Sequence, residues 1–209
     1  MKLYEFALAP NPRRVRIFLA EKGIAVPMIQ INLREAEQLK PEFLAINPFA
    51  TVPVLELDDG RRIAETIAIC RYFEAAHAEP PLFGRDPYEI GVVEEWQRHV
   101  ELEGMAAIAD GFRNTTPGMK GRAVTGPHGY EQIAALAERG KARATRFFEL
   151  LDARLAQREF VAGERYSVAD ITALVAHDFG ARTKTISLEH LSNVKRWHAA
   201  VSARPSAEA

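Results

Sequence analysis

The sequence predicts a small α/β domain followed by an all-helical domain. In the first third of the chain, strand-like alternation of apolar residues is interleaved with helical spacing, in the order β-α-β and then β-β-α. A proline- and glycine-rich stretch separates this part from a remainder in which only helical spacing recurs. We therefore predict an α/β domain over 1–77, a linker over 78–86 and an all-α domain over 87–209.

The elements of the first domain follow from short local signals. Val15, Phe18 and Leu19 recur at helical spacing, and Gly23 ends that helix. Asp59-Gly60 supplies the positive φ that a tight hairpin needs. In order, the predicted elements are a strand over 2–6, a helix ending at Gly23, a strand over 28–31, a short helix over 38–46, strands over 54–57 and 62–64, and a helix over 66–77.

The second domain is predicted to contain only helices. Pro87 suits the first turn of a long helix that runs to about residue 112, and the Gly/Pro/Thr-rich stretch 115–129 breaks it. The next helix has five apolar residues at spacings expected of one buried face: Ala144, Phe147, Leu150, Leu151 and Leu155. Ser167 and Asp170 match a capping box, which predicts a helix start there.

Composition removes several classes of function. The chain has 27 basic and 28 acidic residues, so its net charge of −1 gives no electrostatic reason to expect a nucleic acid or an anionic membrane as partner. Cys70 is the single cysteine, which excludes an internal disulfide, a two-cysteine redox pair and a cysteine-rich zinc site. Without a signal-like N-terminus or a membrane-length apolar run, we expect a cytoplasmic protein with a small-molecule or protein partner.

Two segments and the capping motif together resemble one known family. The run Lys40 to Leu55, which contains Val52-Pro53, is followed at the family's spacing by Glu65-Thr66-Ile67-Ala68-Ile69. With Gly163, Ser167 and Asp170, these residues resemble the glutathione transferases over nearly the whole chain. The resemblance implies a thioredoxin-like N-terminal domain, an all-α C-terminal domain and glutathione as co-substrate without a metal. It also implies a homodimer, with Phe49 as a candidate interface residue.

The same resemblance implies which residues hold glutathione. The Val52-Pro53 bond would be cis, so that the main chain of Val52 pairs with the cysteinyl part of the ligand like an added strand. Thr66 and the helix end around it would bind a carboxylate, and Glu65 would bind the amine. Gln38 and Lys40 would reach the glycyl end. Taken singly, Thr66 also fits a plain helix cap, Pro53 an edge strand and Lys40 a solvated charge.

The turn after the first strand departs from the family. Relatives place a Tyr, Ser or Cys there, whereas residues 7–14 contain no hydroxyl or thiol. Ala9-Pro10-Asn11 resembles the Thr-Pro-Asn turn of the bacterial nu-like branch, with Ala9 in place of the threonine. Asn11 is therefore the candidate catalytic residue, donating its amide to the glutathione sulfur. Asn11-Pro12 equally fits an N-cap followed by a first-turn proline, and Tyr4 fits the sheet core rather than the site.

The resemblance implies that the activated thiolate of glutathione is conjugated to a hydrophobic electrophile. Four residues are candidates for contact with that electrophile by their position, although core packing explains them equally well: Leu8, Met105, Ile108 and Phe112. Two alternatives stay open. One is glutathione-dependent disulfide reduction, and the other is a binding protein of the same fold with little catalysis, which Ala9 favours.

Overall fold

The computed structural model describes all of residues 1–209, which divide into two compact units. The N-terminal unit comprises Met1–Pro80 with the segment Thr125–Gly129 and the terminal Ala209. The C-terminal unit comprises Pro81–Val124 and Tyr130–Glu208. The division at Pro80 lies inside the predicted linker. No helix combines the length and the apolar character that crossing a membrane requires.

A four-stranded sheet forms the N-terminal unit, as the α/β prediction requires. The strands take the order β2-β1-β3-β4, with β1 parallel to β2 and the other two pairings antiparallel. Two 3₁₀ turns, Leu33–Glu35 and Glu37–Leu39, follow β2. The elements are β1 (Lys2–Glu5), α1 (Pro10–Glu21), β2 (Met28–Gln30), α2 (Pro41–Leu44), β3 (Val54–Glu56), β4 (Arg62–Ala64) and α3 (Thr66–Ala76).

Strand alternation gives the sheet two buried faces. Leu3 and Leu55 are partners in the β1–β3 ladder and have no exposed surface. Their neighbours Tyr4 and Val54 point to the opposite face, where they pack with Phe43 of α2. Since side chains alternate between faces, this pairing buries apolar groups on both sides of the two central strands.

The predicted short helix over 38–46 is interrupted. Its first residues belong to the 3₁₀ turn Glu37–Leu39, and α2 begins separately at Pro41. Proline has no N–H to continue a preceding helix, but its fixed φ suits the first helical position. Gln38 therefore lies on a tight turn and not on a regular helix.

The first residues of the predicted linker are bound to the N-terminal unit. The ammonium group of Lys22 donates to the carbonyls of His77 at 2.7 Å and Pro80 at 2.6 Å, and it pairs with Glu74 at 2.5 Å. The side chain of Lys22 has no exposed surface. A buried lysine is tolerated here because its charge is paired and its donors are used.

The C-terminal unit is all helical, as predicted. The expected long helix from Pro87 contains a π-helical segment, Val100–Met105, which the apolar spacing did not predict. Gly140 has no space for a side chain, since a Cβ there would lie 2.6 Å from the carbonyl oxygen of Ala107. The helices are α4 (Pro87–His99), α5 (Ala106–Arg113), α6 (Ala134–Leu155), α7 (Val168–Arg182) and α8 (Ser192–Ser202).

One residue of the predicted buried face of α6 is exposed. Ala144, Phe147, Leu151 and Leu155 are buried, but Leu150 has 60% of its surface exposed. Residues three or four apart share a helix face only approximately, because the helix repeats every 3.6 residues. The assignment of Leu150 to the core was therefore wrong.

The predicted capping box is confirmed, and its aspartate does more than cap α7. The carboxylate of Asp170 accepts hydrogen bonds from the N–H of Ser167 at 3.0 Å, the N–H of Val161 at 2.9 Å and the indole of Trp197 at 2.9 Å. The hydroxyl of Ser167 is a fourth donor, at 3.0 Å. Complete burial nevertheless raises the pKa of Asp170 to about 6. Asp170 thus joins α7 to α8 and to the segment before it.

We expect Asp170→Ala to destabilise the protein by about 3–5 kcal/mol, because several buried donors lose their acceptor at once. Asp86→Ala is the matched control. Asp86 caps α4 through the N–H groups of Tyr88 and Glu89 but is exposed, so its loss should cost about 1 kcal/mol. Urea unfolding of the three proteins measures both values. Equal losses for the two variants would contradict the central role of Asp170.

Candidate functional site

Strand register brings the segments with candidate site residues to one edge of the sheet. Val54 is paired with Tyr4 near the end of β1 and with Ala64 at the end of β4. The end of β2 lies at the same edge, since Gln30 is paired with Glu5. At this edge β1 ends before the turn that contains Asn11, β4 ends two residues before Thr66, and β3 begins directly after Pro53. The end of β2 lies there too, eight residues before Gln38.

The main chain at Val52 is open for pairing. The Val52-Pro53 bond is cis, and the ladder between β1 and β3 starts only at Val54. The N–H and C=O of Val52 take part in no hydrogen bond within the chain, although the residue is only 8% exposed. Both groups are therefore free to take a partner from outside the chain. An extended peptide can supply it by adding as a strand.

The loop before Val52 is held by a buried asparagine. The side-chain amide of Asn47 donates to the carbonyl of Thr51 at 2.8 Å and to its hydroxyl at 3.0 Å. Asn47 also accepts from the N–H of Phe49 at 3.1 Å. These bonds fix the direction in which the main chain of Val52 is presented.

The start of α3 lies at the same edge and has free donors. Glu65 precedes the helix with φ of 74°, an uncommon value for a residue other than glycine, and its side chain is exposed. Thr66 is 4% exposed, and its hydroxyl donates to the carbonyl of Asn11 at 3.5 Å. The first N–H groups of a helix have no partner within it and favour an anion. The structure thus joins the predicted carboxylate site to the predicted catalytic turn.

Gln38 and Lys40 differ in burial. Gln38 is 7% exposed, and its Oε1 atom is buried without a hydrogen-bond partner. Lys40 is exposed, with its ammonium 3.6 Å from the carboxylate of Glu37. A surface pair of this kind is weak, so the ammonium of Lys40 remains available to another anion. Gln38 is a buried acceptor that lacks a donor.

Asn11 is not the N-cap of α1. Ala9 holds that position with φ −84° and ψ 141°, and Pro10, Asn11 and Pro12 form the first turn. The prolines have no N–H, so Asn11 alone among these three residues has a main-chain donor. Its side-chain oxygen accepts from Arg14 at 3.2 Å, which leaves the amide NH₂ as a further donor. Asn11 is exposed and therefore accessible to a ligand.

Three residues near this turn form a hydrogen-bond network that the sequence did not predict. The carboxylate of Glu5 is 1% exposed and is hydrogen-bonded to both Arg16 and Gln30. Both partners also contact the main chain of Ala7. The available signal was the alternation of β1, because Glu5 shares a face with the fully buried Leu3.

The four candidate substrate contacts have different surroundings within their own units. In the N-terminal unit, Leu8 is 51% exposed. In the C-terminal unit, Met105 is 8% exposed, and the ring of Phe112 meets that of Phe179 edge-on at 5.5 Å. Ile108 has no exposed surface and packs close to Gly180. A side chain without exposed surface has no area to offer a substrate, so Ile108 contributes packing.

One cluster has the residue types of a metal site. His177, Asp178 and His198 place their ligand atoms within 4.8 Å of one another. The two imidazoles stack with centroids 3.8 Å apart, and Oδ1 of Asp178 lies 2.7 Å from His198 and 3.3 Å from His177. A carboxylate oxygen thus occupies the point toward which both nitrogens are directed. The arrangement is that of a hydrogen-bonded stack between α7 and α8.

Comparison with known proteins gives consistent results for both parts of the chain. Residues 9–76 match the family described as glutathione S-transferase, N-terminal domain, and residues 113–205 match glutathione S-transferase, C-terminal domain. The chain is 38% identical to glutathione S-transferase 2 of Saccharomyces cerevisiae over 209 residues, covering 99% of this chain and 87% of that one.

Solved structures agree over the full length. A glutathione S-transferase domain-containing protein of Marinobacter aquaeolei superposes with a TM-score of 0.89 at 37% identity, covering 99% of both chains. Gtt2 of Saccharomyces cerevisiae gives a TM-score of 0.89 at 36% identity, covering 100% of this chain and 99% of that one. By sequence and by fold, the chain belongs to the glutathione S-transferase family.

Proposed function

We propose that the protein is a glutathione transferase, which binds glutathione at the sheet edge and conjugates its thiolate to a hydrophobic electrophile. The observation that carries the proposal is the unpaired main chain of Val52, at the edge where α1 and α3 begin. Membership of the family and 38% identity to a curated glutathione S-transferase support the same activity.

Each part of glutathione has a partner of suitable chemistry. The cysteinyl main chain pairs with Val52, and one carboxylate binds at Thr66 with the first N–H groups of α3. The exposed carboxylate of Glu65 binds the ligand's amine. At the glycyl end, Lys40 supplies a positive charge for the second carboxylate, and Gln38 Oε1 accepts an N–H of the ligand.

Activation of the thiol is assigned to Asn11. A thiol with a pKa near 8.5 needs about 2.7 kcal/mol of differential stabilisation for a shift of two pKa units. A hydrogen bond to a charged acceptor contributes about 1.5–3 kcal/mol, and a helix N-terminus adds about 0.3–1 kcal/mol. The side-chain amide and the main-chain N–H of Asn11 together supply donors of this strength.

The electrophile is a small apolar molecule in this proposal. Leu8, Met105 and Phe112 are the candidate contacts, since each retains some exposed surface. A reducing compartment such as the cytosol would keep glutathione in its thiol form.

Two other activities have specific support. The Ala9-Pro10-Asn11 turn resembles that of the nu-like branch, which favours glutathione-dependent disulfide reduction through the thiol of glutathione itself. The missing hydroxyl at Ala9 favours a binding protein with little catalysis. Two rates separate the three activities: the conjugation of chloro-dinitrobenzene and the reduction of a small disulfide. A transferase is faster in the first, a reductase is faster in the second, and a binding protein has little of either.

We also propose a homodimer in which Phe49 of each copy inserts into a groove of the other. Phe49 is 70% exposed on a turn where its N–H donates to the side chain of Asn47 at 3.1 Å. The C-terminal unit has a groove of about 380 Å³ with Trp96, Phe147 and Leu150 among its lining residues. Exposed apolar groups of this kind mark interfaces, and two-fold dimers are the commonest assemblies.

Asn11→Ala should lower turnover of chloro-dinitrobenzene about 10- to 100-fold and raise the pKa of the bound thiol, because one donor to a charged sulfur is lost. Asn11→Asp has the same shape and should be slower still, since its negative charge opposes a thiolate. Unchanged turnover in both variants would remove Asn11 from the mechanism. A wild-type protein that binds no glutathione would contradict the proposed function.

Gln38→Met should weaken glutathione binding about tenfold without lowering the stability of the ligand-free protein, because the buried acceptor has no partner before the ligand binds. Gln97→Met is the matched control. Gln97 is fully buried and accepts from Thr172 at 2.8 Å, so its replacement should lower stability and leave affinity unchanged. Calorimetric titration and urea unfolding give the two quantities. Wild-type affinity in Gln38→Met would contradict the assignment.

Phe49→Ser should shift the protein from dimer to monomer, because the apolar side chain that fills the groove is lost. Tyr130→Ser is the control, since Tyr130 is also an exposed aromatic residue but does not line the groove. Sedimentation velocity over a range of concentrations measures the distribution. A wild-type protein that stays monomeric throughout, or a Phe49→Ser variant that stays dimeric, would overturn the interface.

A further inference from the structure

We propose that Glu5, Arg16 and Gln30 are positioning residues that fix the turn between β1 and α1 and thereby aim the donors of Asn11 at the glutathione sulfur. This inference rests on the proposed function, because it concerns the activation of the same thiol. It adds three residues that the family resemblance did not supply, all within the N-terminal unit.

The network is centred on a buried carboxylate at the end of β1. Glu5 is 1% exposed, and its two oxygens divide their partners: Oε2 accepts from Arg16 and Oε1 accepts from the side-chain amide of Gln30. Arg16 comes from α1, and Gln30 is the last residue of β2. One charge thus holds side chains from two neighbouring elements.

Both partners of Glu5 then hold the main chain of a single residue. Nη2 of Arg16 donates to the carbonyl of Ala7 at 3.0 Å. Oε1 of Gln30 accepts from the N–H of Ala7 at 3.0 Å. Because the donor and the acceptor of Ala7 are both fixed, the peptide groups on either side of it have one orientation.

Little freedom remains between Ala7 and Asn11. The N–H of Ala9 donates to the carbonyl of Phe6 at 2.9 Å, and Pro10 has a φ fixed by its ring. Arg14 then holds the side-chain oxygen of Asn11. The orientation set at Ala7 therefore carries through to the catalytic amide.

The exposure of Ala7 distinguishes positioning from simple stabilisation. Ala7 is exposed, so water would satisfy its N–H and C=O if the two side chains were absent. The bonds to Ala7 thus remove no unsatisfied group, and their effect is to select one direction of the turn. A donor displaced from its acceptor by a fraction of a hydrogen-bond length stabilises the thiolate less.

The test uses Gln30→Ala, Arg16→Lys and Glu5→Gln. Gln30 is exposed, so Gln30→Ala keeps the test valid even where a change at the buried Glu5 prevents folding. We expect each folded variant to raise the pKa of the bound thiol by about 0.5–1 unit and to lower kcat for chloro-dinitrobenzene about 3- to 10-fold. The KM for glutathione should change less than about twofold, because the binding groups at Val52 and Thr66 are untouched.

Arg62→Lys is the matched control. Arg62 also joins a carboxylate to a backbone carbonyl, with bonds of 2.9 Å to Glu56 and 2.8 Å to Ala45, but it has no contact with the turn. The Arg62→Lys variant should keep the thiol pKa and the kcat of the wild-type protein. Ultraviolet absorbance of the bound thiolate across a pH series gives the pKa in every protein.

The outcomes separate the inference from the function beneath it. Wild-type thiol pKa and kcat in Gln30→Ala and Arg16→Lys, in an active protein, would overturn the network alone. A rise in KM with an unchanged thiol pKa would also overturn it, since that result indicates a purely structural role. Changes in thiol pKa and kcat in Arg62→Lys that equal those of the network variants would also overturn the network. A wild-type protein that binds no glutathione overturns both proposals.

Discussion

The pairing of Val54 with Tyr4 on one side and Ala64 on the other places the chain segments of the candidate site at one edge of the sheet. A slip of one residue in either pairing would turn each side chain of that strand to the opposite face. Val54 and Leu55 are both almost fully buried, on opposite faces, so the core opposes such a slip. Apolar burial thus determines where Val52 presents its main chain.

This edge of the sheet has hydrogen-bond donors, but the turn after β1 has no Tyr, Ser or Cys side chain. Two helices begin there, and the hydroxyl of Thr66 links their first turns through the carbonyl of Asn11. In α1, prolines flank Asn11 and concentrate the donors of the first turn at that one residue. Partial positive charge at helix starts favours bound carboxylates and a thiolate alike. A site of this kind can stabilise a thiolate without the hydroxyl that Ala9 lacks.

Sequence reasoning predicted the elements where local signals act alone, and it was wrong where packing decides. The hairpin at Asp59-Gly60 and the capping box at Asp170 follow from turn and cap chemistry. Leu150 has the same spacing as its buried neighbours, yet only the packing of other helices decides which side of α6 is covered. The π segment over Val100–Met105 has no local signal that we recognise.

The residues of the candidate site also fall into two groups: those within one local motif, and those that only folding brings together. The candidates Val52, Pro53, Glu65 and Thr66 were proposed from one family motif, and a single hairpin separates the two halves of that motif in the structure. Asn11 was proposed from its resemblance to a family turn. The alternative interpretation of Asn11 as the N-cap starts α1 two residues too late, because Ala9 is the N-cap and Pro10 and Pro12 both fit the first turn. The network around Ala7 joins residues from β1, α1 and β2, and no spacing rule connects residues 5, 16 and 30 before the chain has folded.

The identity of residue 5 argues for a role beyond stability. Glu5 continues the face of β1 that begins with the fully buried Leu3, so an apolar side chain would fit the strand's alternation. A buried ion pair contributes little or nothing compared with well-packed apolar groups, since both charges leave water. An apolar residue at position 5 could not accept hydrogen bonds from Arg16 and Gln30, and so could not hold them in fixed orientations against Ala7. A charge at this position is therefore explained by the geometry it imposes on the turn.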